Sequence, residues 1–307
     1  RWGLDGFGRT FLYRDTHFQP ILSQPESPRR YEGAFDSSAM DPVPAYEGCP
    51  PLIDFLEQYV YASRPLLMKG CSEDMLAVRL WRSDEYLAKY GGEWRGAISY
   101  SDPKEPGGTL RDYAAKYANQ RRPLYIARGG MPAVLRKDLQ LPGALRGCSE
   151  MLSLIDEVWY WHSAGGHSGS WHSDLGDYFV TQIDGGKHFA LRDPVPPIGG
   201  PPVRHFSAPL AAGDTLYVPS GWPHNVTTNR GRSVAVTMSL AFPPPDHFGE
   251  LREDLRYLRP PDTLLVSEKR AGRVPEALRE CALADAARDA SEWSLDRSGA
   301  LDASEKM

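Results

Sequence analysis

Among 307 residues, no apolar run approaches the ~20 that a helix needs to cross a bilayer, so no membrane span is expected in this chain. Basic charge is not in excess either. There are 35 Lys and Arg against 40 Asp and Glu, a formal net charge of −5, where nucleic-acid binders usually show the reverse. No nucleic-acid partner is expected, and the short clusters Arg29-Arg30 and Arg121-Arg122 read as solvated surface. Cysteine is scarce: four residues, at 49, 71, 148 and 281, with no C-x-x-C pair, which argues against a cysteine-held zinc site. Buried thiols are the default expectation, with a Cys49–Cys71 disulfide as the lesser alternative. Internal repeats and low-complexity tracts are missing. The chain also opens on Arg1 instead of Met. From that, removal of an upstream segment is expected, and the compartment stays open: cytoplasm is favoured, the secretory-pathway lumen is the alternative.

What is present suits one large domain with appendages, or two domains. Residues 1–50 are rich in Pro, Gly and Ser and read as an irregular arm. Residues 51–245 read as the main domain, entered through helices. Leu52–Tyr61 has helical spacing, Pro65–Gly70 reads as a short buried strand, Ser83–Tyr90 as a helix stopped by Gly91-Gly92, and Leu110–Tyr117 as a third helix. From about Pro123, short β-like runs recur between Gly and Pro: Leu124–Ala127, Val158–His162, Tyr178–Ile183, His188–Leu191, Thr215–Val218 and Ser233–Ser239. That pattern predicts a mainly β sandwich or barrel, not βαβ units. Residues 246–307 read as a helical extension, with Pro275–Trp293 its clearest amphipathic helix.

Seven of the eight histidines fall between 162 and 247. In Trp171-His172-Ser173-Asp174, a strand would put His172 and Asp174 on one face. A third donor would come from His224, in Gly221-Trp222-Pro223-His224, just after the run Gly213–Pro219. Two imidazoles and one carboxylate leave open positions on an octahedral ion and suit non-haem Fe(II). Lys187, in Gly185-Gly186-Lys187-His188-Phe189, follows His172 by 15 positions, at the turn of an expected hairpin from Tyr178–Ile183 to His188–Leu191. Buried there, it would need an anionic partner; an exposed turn lysine is the plainer reading.

Taken together, WHSD, GGKHFALRDP and GDTLYVPSGWPHNV resemble the JmjC group of cupin-fold 2-oxoglutarate oxygenases, most of all the small JmjC-only hydroxylases of the asparaginyl hydroxylase type. The resemblance runs from about Leu52 to Phe242. It implies a double-stranded β-helix (jelly-roll, cupin) with flanking N- and C-terminal helices. It also implies His172, Asp174 and His224 as catalytic Fe(II) ligands, and Lys187 as partner of the distal carboxylate of 2-oxoglutarate. Tyr125 would donate a second hydrogen bond there, and Ser239 and Tyr178 would stand beside the cosubstrate. The sequence departs from the pattern at Gly169, where relatives often carry a threonine that contacts the cosubstrate; Ser168 and Ser170 flank it.

The resemblance further implies an enzyme: an Fe(II)- and 2-oxoglutarate-dependent dioxygenase that uses O2 to hydroxylate a C–H bond, on a protein or peptide side chain. The alternatives are a hydroxylase of a free amino acid or small metabolite, and a metal-binding cupin that is not an oxygenase. His162 and His167 stand as substrate contacts or as ordinary hydrogen-bonded side chains. Trp159, Trp161, Trp171 and Trp222 stand as pocket lining or core. The sequon at Asn225 is expected to stay unmodified, and the C-terminal helix to form a homodimer or to pack on its own barrel.

Overall fold

A computed structural model describes residues 40–94, 97–98, 109–112, 125–128, 131–166, 169, 171–174, 176–194, 204–228, 230–242 and 274–284. Its strands are β1 (Asp41–Pro42), β2 (Ala45–Glu47), β3 (Leu66–Lys69), β4 (Ala97–Ile98), β5 (Tyr125–Arg128), β6 (Ile155–Gly165), β7 (Asp177–Asp184), β8 (Gly186–Arg192), β9 (His205–Ala211), β10 (Thr215–Val218), β11 (His224–Thr228) and β12 (Arg230–Leu240). Eight of them form one sheet in the order β2-β3-β10-β7-β12-β6-β5-β4. The other four form a second sheet, β1-β9-β8-β11.

Period-two alternation divides the side chains between two cores. On β7, Phe179 and Ile183 face outward while Tyr178 and Val180 face inward. The inner core draws Phe189 and Leu191 from β8, Phe206, Ala208 and Leu210 from β9, and Leu216 and Val218 from β10, and so fills the space between the two sheets. The outer face of the large sheet is covered by the helix Leu52–Phe55, which runs on as a π-helical stretch Leu56–Val60, by the helices Leu76–Leu80 and Asp84–Gly91, and by the segment around Leu139–Met151. Removing a fully buried side chain from that layer, such as Trp81 or Phe55, costs about 3–5 kcal/mol. The architecture is a jelly roll with a helical coat, as the sequence implies. Among the described residues, no helix is long and apolar enough to cross a membrane.

Several local expectations change. β7 and β8 are not a hairpin: they belong to opposite sheets, and the chain crosses between them at Gly185. That residue sits at φ +67°, and a Cβ there would stand 1.9 Å from the Arg232 carbonyl oxygen, so only glycine fits. The end of the expected irregular arm is not irregular, because β1 joins the small sheet and β2 the large one. Residues 1–39 lie outside the described residues, as do 246–273, most of Leu110–Tyr117 and the helix beyond Ala284. The strands β9 and β11 escape the sequence reading because β9 contains Pro209 and β11 (HNVTT) is mostly polar.

The cysteines are not thiols. Cys49 is bonded to Cys71, and Cys148 to Cys281. The second bond fixes the C-terminal helix Glu276–Ala284, whose Leu278 and Ala282 join the outer core and whose Arg279 pairs with Glu57. The apolar face of this helix is thus covered by its own chain. Over its described residues this is the second of the two arrangements expected for it.

Candidate metal centre

His224 is delivered by a turn. β10 ends at Val218, Pro219 and Pro223 exclude helix, Gly221 takes φ +78°, and β11 begins at His224 itself. The turn is held closely. Gly221 N donates to the Asp174 carbonyl at 2.8 Å, Trp222 N to the Pro219 carbonyl at 3.2 Å, and the Trp222 indole to the Ser63 carbonyl at 3.1 Å. His172 then lies opposite His224 in an isolated antiparallel bridge, with reciprocal backbone bonds of 3.0 and 2.7 Å. The expectation that His172 and Asp174 share a strand is therefore corrected. Only His172 is in a β-bridge, and Asp174 stands in the connection that leads to β7. It is this bridge between remote segments of the chain that aligns the two imidazoles.

The ligand atoms of His172, Asp174 and His224 all lie within 4.8 Å of one another. The two imidazole centroids are 4.3 Å apart, and His224 Nε2 is 3.5 Å from Asp174 Oδ2. Donors about 2.0–2.2 Å from a common ion would be about 3 Å from each other, so only a small contraction is needed. His224 Nδ1 lies 3.0 Å from the Trp222 carbonyl oxygen, which can only accept. Nδ1 therefore carries the proton and leaves the Nε2 lone pair directed at Asp174, the tautomer a metal ligand requires. Asp174 and His224 are 9% and 5% exposed, while His172 is half-buried and the most accessible of the three. Two imidazoles and a carboxylate on one side of an ion, with the remaining positions open, fit Fe(II).

Deeper between the sheets lies Lys187. It is 3% exposed, not the exposed turn residue of the plainer reading, and stands on β8 opposite Thr228 of β11. Its Nζ sits over the Trp161 ring, 5.7 Å from the centroid. Burial pushes its pKa down to about 7, because the ammonium loses hydration there. Trp161 is fixed by donating its indole N–H to Thr237 Oγ1 at 2.8 Å, and Trp159 stacks on it with centroids 5.8 Å apart. The hydroxyls of Ser163 and Thr228, 3.1 Å apart, stand by the same strand positions. Lys187 thus combines an indole contact with a strand position paired to Thr228.

Ser239 and Tyr178 are cross-strand partners on β12 and β7, both buried. They lie beside the Asp174 segment: a Cβ added to Gly176 would be 2.5 Å from Ser239 Oγ and 3.3 Å from the Tyr178 ring. Tyr125 stands on β5 opposite Ser163, and its side chain lies outside the described residues. Gly169 donates its N–H to the Val226 carbonyl at 2.8 Å, and its carbonyl accepts from Asn225 Nδ2 at 2.6 Å. The asparagine of the sequon is thus buried and engaged, while Ser168, Ser170 and His167 lie outside the described residues.

His162 points away from the metal group. It is fully buried on the outer face, with Nδ1 3.0 Å from the Tyr160 hydroxyl and Nε2 3.8 Å from Asp84 Oδ1, and burial pushes its pKa well below the ordinary value. Trp222 anchors the ligand turn, and Trp171 packs against His205. Sequence reasoning missed Asp177, Ser163 and Thr228. The last two were accessible in principle, as inward positions on alternating strands.

Residues 142–247 match the family model of the JmjC domain. The chain is 27% identical over 233 residues to the lysine-specific demethylase JMJ21 of Arabidopsis thaliana, a stretch covering 62% of this chain and 24% of that protein. The chain thus spans about a quarter of the length of the curated relative it matches. The family uses Fe(II) and 2-oxoglutarate, and the three converging donors fit that iron. Residues 142–247 are thus similar to the JmjC domain, and the jelly roll and the donor triad agree with that likeness.

Proposed function

We propose that the chain is an Fe(II)- and 2-oxoglutarate-dependent oxygenase that hydroxylates a C–H bond on a protein or peptide side chain. The observation that carries this reading is the convergence of His172, Asp174 and His224 at one end of the barrel interior, with the buried Lys187 further along the same strands. When bound, iron and 2-oxoglutarate would supply the oxidising power for a reaction that puts one atom of O2 into the substrate C–H bond and the other into succinate, with release of CO2. The chain's own residues do the rest. The three donors would hold the ion. Lys187 grips the distal carboxylate and so fixes the direction of the cosubstrate, while the Trp161 indole and the apolar interior exclude water. Tyr125, Ser239 and Tyr178 are assigned to the cosubstrate side of the site.

The name of the relative supports a protein side chain as the target. Hydroxylating an N-methyl carbon is the same chemical step; its hemiaminal product then falls apart with loss of formaldehyde. Protein purified without oxygen, given Fe(II), 2-oxoglutarate and a peptide panel in air, is expected to form succinate. Mass spectrometry then separates the outcomes: gain of one oxygen atom for a stable alcohol, loss of a methyl group for demethylation. Conversion of a free amino acid but no peptide would move the proposal to a metabolite substrate. His172→Ala is expected to abolish turnover. Absence of succinate from the unmodified chain under all conditions would overturn the oxygenase reading and favour a non-oxygenase cupin.

A further inference from the structure

Asp177 lies three residues beyond Asp174, at the start of β7, and is 4% exposed. Its Oδ1 accepts the Tyr217 hydroxyl at 2.6 Å and the Ser220 backbone N–H at 3.3 Å. Both donors belong to the segment that delivers His224: Tyr217 is near the end of β10, and Ser220 is inside the turn. The next residue, Gly221, donates to the Asp174 carbonyl at 2.8 Å. Two cross-links therefore run between the segment carrying Asp174 and the turn carrying His224, one backbone to backbone and one through the Asp177 carboxylate. With the His172–His224 bridge they close a loop around all three donors. Nothing in the pairing of β7 with β10 requires a carboxylate at this position. That register, Tyr217 opposite Phe179 and Val218 opposite Tyr178, stops short of the turn.

Resting on the reading given above, we infer that Asp177 is a positioning residue of the metal centre. It is not one of the three clustered donors. It holds the Pro219–Pro223 turn against the Asp174 segment and thereby sets how far His224 Nε2 stands from the Asp174 carboxylate. Without that acceptor, a buried backbone N–H and a buried phenol must find others, and the turn shifts to provide them. A partner that orients a ligand in this indirect way typically governs metal affinity 10–100-fold.

Co(II) is the probe, because its visible absorption reports coordination independently of turnover. Titrations of the unmodified chain, Asp177→Ala, Asp177→Asn and Tyr217→Phe are compared, each with its thermal midpoint. Asp177→Ala is expected to bind Co(II) about 10–100-fold more weakly, with altered bands. Asp177→Asn keeps an acceptor oxygen of the same shape and should restore most of the affinity. Tyr217→Phe loses one bond to the same carboxylate but leaves the link to Ser220; it should lower the midpoint while holding Co(II) nearly as well as the unmodified chain. If Asp177→Ala does not fold, Asp177→Glu carries the test, since its longer reach displaces the turn without removing the charge, and weaker, altered Co(II) binding is expected.

Unmodified affinity and bands in the Ala variant, or in the Glu variant where Ala does not fold, overturn the inference alone. So does a loss of affinity that merely follows the thermal midpoint in both Tyr217→Phe and Asp177→Ala. Failure of the unmodified chain to bind Co(II) overturns the oxygenase reading and this inference with it.

Discussion

Lys187 places an ammonium group where burial by itself favours the neutral amine. Its pKa of about 7 before any anion binds gives a definite pH dependence. Below pH 7 the ammonium is already formed and a dicarboxylate finds its counter-charge. Above pH 7, binding must also take up a proton, so affinity for 2-oxoglutarate is expected to weaken by up to about tenfold per pH unit until the pKa of the complex is passed. Calorimetry in buffers of different ionisation heat at pH 8 should show that uptake; none would mean that Lys187 is not the group gripping the acid. Stability of the protein alone has the opposite sign. The folded chain binds fewer protons here than the unfolded one between pH 7 and the ordinary lysine value, so this group adds stability as pH rises through that window. Lys187→Ala should raise the 2-oxoglutarate concentration needed by roughly 30-fold or more, since truncating one partner of a buried charge pair costs about 2–5 kcal/mol. An unchanged requirement would refute the assignment.

At the scale of elements, the turns do as much as the strands. Asp214 shows why a Gly-Asp pair precedes β10. One carboxylate oxygen accepts the Gly70 N–H at 2.9 Å and the other the Ala211 N–H at 2.8 Å, so a single side chain joins the ends of β3 and β9. Asp214→Ala removes the acceptor from two backbone donors. It is expected to lower the unfolding free energy by at least about 2 kcal/mol, at about 1–3 kcal/mol per unsatisfied group. Asp214→Asn, with one acceptor oxygen, should cost roughly half as much. Chemical denaturation measures both, and equal midpoints for Asp214→Ala and the unmodified protein would show that the turn is held by other means.

Across the whole molecule, two disulfides tie the periphery to the barrel: Cys49–Cys71 joins the segments flanking β2 and β3, and Cys148–Cys281 closes a sequence separation of 133 residues. The second bond should stabilise by about 2–5 kcal/mol, and loss of the C-terminal helix should be what its reduction exposes. Cys281→Ser is expected to lower the thermal midpoint by several degrees and to make residues near Glu276–Ala284 the first to be cut by protease. Identical midpoints with and without a strong reductant would contradict both cross-links. The bonds also favour an oxidising compartment, a proposal that localisation of the tagged chain would test.

Much of the barrel was legible in the residues. β3, β7, β8 and β10 are short runs bounded by Gly or Pro, and the stretches Val158–His162 and Ser233–Ser239 mark the longer β6 and β12. His172, Asp174 and His224 were legible because ligand chemistry restricts residue type. β9 and β11 were not, since a proline and a polar run contradict local propensity and only their neighbours justify them. Cysteine pairing was not legible either, because 133 residues of separation say nothing about distance in space. Sequence by itself determined which residue types were at hand: an alternating barrel, two imidazoles, a carboxylate and a lysine. Tertiary structure alone decided that β7 and β8 lie in opposite sheets, that His172 meets His224 through a backbone bridge, that Lys187 is buried, and that Asp177 reaches the ligand turn. The physical reason is that each of these depends on contacts between segments remote in the chain, and local propensity carries no record of which segments will meet.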